Sequence, residues 1–192
     1  MNFKNLNLAE SFALSRLITF PIMIALVFYG DRSLFAWLYL IFFSTDLLDG
    51  FFAHLFNMET SRRSKLDSTG DVLYFFAGIF AFYIFETDYF INRWPWLVSL
   101  AVLYFLQFAI CMVKFRRPSS FHTYSAKLSA FVQFTFLAWT FFFYPNDLLF
   151  FAAFIAGVFE SIDETLIAIH LKKWDTNMKG ILFIWNEERN KA

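Results

Sequence analysis

The chain has 192 residues, 59% of them hydrophobic and 17% charged, with no net charge. A soluble domain averages roughly 45–50% apolar and about 25% charged, so much of this surface is expected to face lipid. Zero net charge removes the bulk electrostatic case for nucleic acid or an acidic partner, and a single cysteine, Cys111, excludes an internal disulfide.

Crossing the hydrocarbon core takes about 20 apolar residues at ~1.5 Å rise each, because every backbone polar group must be satisfied within the segment. Six stretches meet that requirement, so the predicted fold is all-α: a polytopic membrane protein with about six transmembrane helices, forming one membrane domain over 1–192. The first, 11–29, contains Arg16 and Pro21 and is followed by no small-residue cleavage pattern. It is expected to be a retained span and not a signal peptide. The others are 34–56, 64–85, 94–115, 122–144 and 148–170, separated by the turn or charge signals at 30–32, 59–63, 86–93, 116–118 and 145–147. The tail after His170 mixes charge with Trp174, Ile181, Leu182, Phe183 and Trp185. It reads either as a frayed end or as a helix lying in the membrane interface.

With a cytoplasmic N-terminus, every Lys and Arg except Arg32 and Arg93 falls on the cytoplasmic side. That asymmetry is what the positive-inside rule demands, and it places both termini in the cytoplasm.

Four carboxylates interrupt this pattern. Asp46 and Asp49 are three residues apart on the second span, and Asp67 and Asp71 are four apart on the third. Each pair therefore projects from one face of its helix. The two helices are consecutive and joined by a short loop, which makes them antiparallel neighbours whose acids converge on one cavity. A charge at mid-membrane costs at least ~2.5–3.5 kcal/mol on insertion scales, so four demand compensation. Converging anions repel unless protonated or neutralised by a cation. Hard oxygen ligands with spare coordination positions suit Mg²⁺ or Mn²⁺, which leave room for phosphate oxygens. Phosphoryl transfer needs that arrangement. Glu160, Asp163 and Glu164 form a second acidic group near the end of the sixth span. They are expected either to support an Arg or Lys or to face the cytoplasm.

Residues 46–71 read DLLDGFFAHLFNMETSRRSKLDSTGD. This segment resembles the signature of the CDP-alcohol phosphatidyltransferases: Asp, two residues, Asp-Gly, two residues, Ala-Arg, eight residues, Gly, three residues, Asp, three residues, Asp. Asp46, Asp49, Gly50, Ala53, Asp67 and Asp71 are in register. Arg16 followed by Pro21, Thr60 and Lys127 also stand where the family has an Arg and Pro, a Thr and a basic residue. The chain departs from the signature at His54, where it has Arg, and at Arg63, where it has Gly.

The resemblance implies a metal-dependent transferase of phospholipid biosynthesis, with its active site at the cytoplasmic membrane edge. The donor would be CDP-diacylglycerol or another CDP-alcohol, and the acceptor a small hydroxyl compound. Asp46, Asp49, Asp67 and Asp71 would hold one or two Mg²⁺ or Mn²⁺ ions against the donor diphosphate. Asp71 would be the catalytic base toward the acceptor hydroxyl, and CMP would leave. Gly50 and Ala53 would make room for the nucleotide, although small residues also serve tight helix packing. His54, Thr60 and Arg63 would lie near the donor, with Arg63 either gripping phosphate or filling the nucleotide pocket. Lys127 would meet an acceptor phosphate. Members of the family often form homodimers.

Two rival readings belong to other classes. A cation-coupled transporter would spread ionisable residues through several spans, whereas these acids crowd onto two. A non-catalytic family member would account for His54 and Arg63.

Overall fold

A computed structural model describes residues 8–56, 61–117, 121, 123–171 and 178–189, and it describes the side chains of these except 8–17, 46–56, 61–69, 71 and 186–188. The described residues form helices and no strands: α1 (Leu8–Tyr29), α2 (Arg32–Phe56), α3 (Ser61–Phe85), α4 (Thr87–Phe115), α5 (Tyr124–Phe142), α6 (Asp147–His170) and a short α7 (Ile181–Arg189).

The helix ends have local causes. Gly30 takes a positive φ of 76° after α1, and Asp31 Oδ1 accepts from Leu34 N at 3.0 Å to open α2. Asn146 caps α6 in the same way, accepting from Leu149 N at 3.2 Å. Thr123 Oγ1 accepts from Ala126 N at 3.1 Å, so α5 starts at Tyr124, two residues beyond the expected start of the span. The expected break at 86–93 shrinks to Glu86 alone, and α4 runs on through Pro95. Its charges are accommodated instead of ending the helix. Asp88 lies in the first turn, where an acid suits the helix dipole, and Arg93 Nη2 pairs with Asp147 Oδ1 at 2.7 Å.

The chain divides into two units, 1–90 with 137–144, and 91–136 with 145–192. In the first, α1 packs on α3 and α2 around Met23, Val27, Phe35, Tyr39, Ala77 and Phe82. Tyr39 is fully buried, stacked on Phe35 and edge-on to Phe141. Its hydroxyl stands 2.6 Å from where a Cβ on Gly78 would lie, and its ring carbons Cε2 and Cζ 3.0 Å away.

That approach decides a prediction. Alanine at Gly78 gains up to ~1 kcal/mol of helix propensity but overpacks a ring that cannot swing away, which costs about 1–3 kcal/mol. Gly78→Ala is therefore expected to lower the thermal unfolding midpoint in detergent, and Tyr39→Phe in the same chain should shrink that loss. A neutral Gly78→Ala would mean that the two helices do not meet this closely.

In the second unit, α6 buries Phe150, Ala153, Gly157, Ser161, Asp163, Glu164, Ile167 and Ala168. Among the described residues, α4 is the helix long and apolar enough to cross a membrane, and only 11% of its apolar window is buried in protein. A core helix of a soluble protein would be mostly covered. Shorter apolar stretches run over Ile18–Tyr29, Arg32–Thr45 and Val72–Phe85.

Candidate active site

The acidic motif occupies the end of α2 and the start of α3. Asp46, Asp49, Gly50, Ala53 and His54 lie on helical backbone in α2, and Arg63, Asp67 and Asp71 on helical backbone in α3. The side chains of these eight fall outside the described residues, and Thr60 falls outside them altogether.

What is described beside the motif fixes the register of its backbone. Phe42 on α2 meets Tyr74 on α3 with ring centroids 4.9 Å apart. Tyr39 stacks on Tyr74 at 6.3 Å and reaches Gly78. As α2 advances from Tyr39 to Phe42, its partner on α3 recedes from Gly78 to Tyr74, so the helices are antiparallel. Asp49 is seven residues beyond Phe42, and Asp67 is seven before Tyr74. Asp46 is four beyond Phe42, and Asp71 is three before Tyr74. At ~1.5 Å per residue, the paired positions share heights to within about one residue. Offsets of three, four and seven residues also keep all four positions on the stripes through Phe42 and Tyr74, where the helices touch.

α1 adds a further level. It packs on α3, with Phe28 and Phe80 rings 5.6 Å apart. Arg16 is twelve residues before Phe28, and Ser68 twelve before Phe80. Parallel helices thus bring the Arg16 backbone to the height of Asp67–Asp71.

Lys127 belongs to the second unit and lies exposed in the first turn of α5, its amide donating to Thr123 O at 3.1 Å. It is nearer the helix start than the span limits suggested. Arg116 ends α4 in a left-handed conformation, with φ 54°.

In the second acidic group Asp163 and Glu164 are buried and Glu160 is half-buried, and all three accept hydrogen bonds from neighbouring helices. Tyr104 Oη donates to Glu160 Oε2 at 2.7 Å, Gln107 Nε2 to Glu164 Oε2 at 2.6 Å, and Ser125 Oγ to Asp163 Oδ2 at 2.5 Å. Gln133 Nε2 donates to both Tyr104 Oη and Ser129 Oγ at 3.0 Å. Hydroxyl and amide donors on α4 and α5 therefore tie those helices to α6, as interhelical polar bonds do in apolar bundles. Sequence reasoning missed these residues. The visible signal was the four-residue spacing of Ser125, Ser129 and Gln133 along α5. Among the described residues, no group of three or more His, Cys, Asp or Glu is placed to hold a metal.

The described residues are helical, with the backbone positions of Asp46, Asp49, Asp67 and Asp71 on two consecutive helices, and this layout fits the class of membrane-associated phosphotransferases. The profile of the CDP-alcohol phosphatidyltransferase family matches residues 6–162, and the chain belongs to that family. Its members move a phosphatidyl group from a CDP-alcohol to a hydroxyl acceptor in phospholipid synthesis. The match takes in the whole motif and stops before α7. No curated protein and no solved structure matches the chain.

Proposed function

We propose that this protein transfers a phosphatidyl or similar phosphate-linked alcohol group from CDP-diacylglycerol or a related CDP-alcohol to a small hydroxyl acceptor, releasing CMP at the cytoplasmic face of a six-span membrane domain. The observation that carries the reading is the α2–α3 register, in which Asp49 and Asp67 share one height and Asp46 and Asp71 the next.

Four aspartates at matching heights on two antiparallel helices suit Mg²⁺ or Mn²⁺, which take hard oxygen donors. Asp46, Asp49, Asp67 and Asp71 would hold the ion, which when bound offsets the negative charge of the donor diphosphate. The protein's own residues do the rest. Asp71 accepts the proton of the acceptor hydroxyl. The alkoxide oxygen bonds to the phosphorus that bears the alcohol, the phosphorus–oxygen bond to CMP breaks, and the electron pair leaves with CMP. A carboxylate that donates one oxygen to a cation keeps the other for the proton. Positioning and charge neutralisation supply most of the acceleration, as in other phosphoryl transfers. Lys127, exposed in the first turn of α5, suits an anionic acceptor.

Arg63, where the signature has glycine, favours a second reading, a family member that has lost catalysis. Glycine at such a site allows backbone to approach a ligand, and a guanidinium in its place either binds phosphate or blocks it.

Full-length protein in nanodiscs, supplied with Mn²⁺, CDP-diacylglycerol and glycerol 3-phosphate, inositol phosphate or serine, is expected to release CMP with at least one acceptor and to stop when EDTA is added. Absence of CMP with every acceptor, despite bound Mn²⁺, would favour the non-catalytic reading. In that case Arg63→Gly should restore nucleotide binding if the guanidinium is the obstruction.

A further inference from the structure

The C-terminal helix α7 does not trail from the second unit. Met178 N donates to Phe121 O at 3.0 Å, and Tyr124 N donates to Lys179 O at 3.4 Å. Gly180 turns the chain at a φ of 143°, a conformation that side-chain-bearing residues rarely adopt. Ile181 N then donates to Asp163 Oδ1 at 2.9 Å, so a carboxylate from α6 satisfies one free amide at the start of α7. Ile181 and Ile184 pack on Cys111, Phe121, Ile167 and Ala168.

This docking orients the helix. With Ile181 only 6% exposed, Leu182, Phe183 and Trp185 are left 63%, 48% and 47% exposed on the outer side. Basic residues flank them. The Lys179 ammonium lies 5.9 Å from the Phe183 ring centroid, and Arg189 stands exposed in the last turn. Lys114 Nζ donates to Ala168 O and Ile169 O at 3.0 and 2.6 Å, so α4 and α6 end together beside α7. Apolar surface reaches the same end along α4, through Phe105 at 68% exposed and Val113 at 86%.

We infer that α7 is an interfacial helix, with Leu182, Phe183 and Trp185 seated in the headgroup layer of the bilayer and Lys179 and Arg189 drawn to anionic lipid. Lipid is the fitting occupant because the patch continues the exposed apolar surface of a helix long enough to span a membrane. Trp and Phe between cations are also the side chains that partition to headgroup depth. The inference rests on reading α4 as a span, and it concerns a segment beyond the family match.

The test uses full-length protein with a fluorescent thiol probe at Trp185→Cys, Leu182→Cys or Phe105→Cys. Wild type measures the background from buried Cys111. In nanodiscs of phosphatidylcholine, a nitroxide at headgroup depth should quench the probes at 182 and 185 several-fold more than aqueous iodide does, and more strongly still when phosphatidylglycerol is added. A nitroxide deep in the acyl chain should quench the probe at 105. Iodide-dominated quenching at 182 and 185 would show that they face water, and protection from both quenchers would show that protein covers them. Either result overturns the inference while the probe at 105 remains lipid-quenched. A phosphatidylglycerol response that is absent overturns the electrostatic attraction. A probe at 105 that no lipid quencher reaches would instead refute α4 as a span.

Discussion

Asparagine in place of Asp71 is expected to abolish CMP release without unfolding the protein. The amide has nearly the same volume as the carboxylate, so packing around α3 is preserved. It cannot take up the acceptor's proton, however, and it removes a negative charge from the proposed metal site. A positioned general base is worth about 10²–10⁴ in rate, and a weakened metal site adds to that loss, so CMP release should fall by at least ~10³-fold. Stability should move the other way or not at all. Without metal, converging carboxylates repel one another, and removing one charge relieves that repulsion. The check is CMP release and thermal unfolding of Asp71→Asn measured side by side. Near-normal CMP release with this variant would remove Asp71 from the base role.

The second large effect concerns stability and involves no catalytic group. Arg32, at the start of α2, gathers the carbonyl end of α5. Its Nε donates to Phe141 O at 3.0 Å, and its Nη2 donates to Phe143 O at 2.7 Å and to Thr140 O. Its Nη1 pairs with Glu86 Oε1 at 2.7 Å, and the guanidinium lies 5.9 Å from the Tyr144 ring centroid. The last carbonyls of a helix have no partner within it, so one side chain here satisfies a helix terminus and sets its charge against a carboxylate. Removing one partner of a buried pair costs about 3–5 kcal/mol. The side chains of Arg32 and Glu86 are 29% and 15% exposed, and water recovers part of that, so Arg32→Ala should cost about 2–3 kcal/mol. Arg32→Lys should recover little, because a point charge cannot serve a fork of acceptors. Thermal unfolding of the two variants and of Glu86→Gln measures this. Equal midpoints for all three and wild type would show that the clamp contributes nothing.

Much of the helix layout was legible because its punctuation is chemical. Gly30 and Asp31, Arg116, and Asn146 before Asp147 mark the ends of α1 and α4 and the starts of α2 and α6, where a positive φ or a side-chain cap sets the boundary. The segment 86–93 misled because charge is a weak helix breaker. Asp88 gains from its place in the first turn, and Arg93 finds Asp147 fifty-four residues away. The acidic motif stood out because carboxylates at three- and four-residue spacing have no ordinary place in apolar helices. The network around Glu160, Asp163 and Glu164 did not, because Tyr104, Gln107, Ser125 and Gln133 are individually unremarkable and acquire meaning only once three helices are aligned. Docking of α7 was hidden for a similar reason: the carboxylate that opens it lies eighteen residues upstream on another helix.

Titration of full-length protein with Mn²⁺, followed by the electron paramagnetic resonance signal of the free ion, tests most directly whether the four aspartates act as one site. Saturable binding that weakens at least ~10-fold in each of Asp46→Asn, Asp49→Asn, Asp67→Asn and Asp71→Asn is the expected result for shared carboxylate ligation. Binding that stays unchanged in all four variants would contradict it.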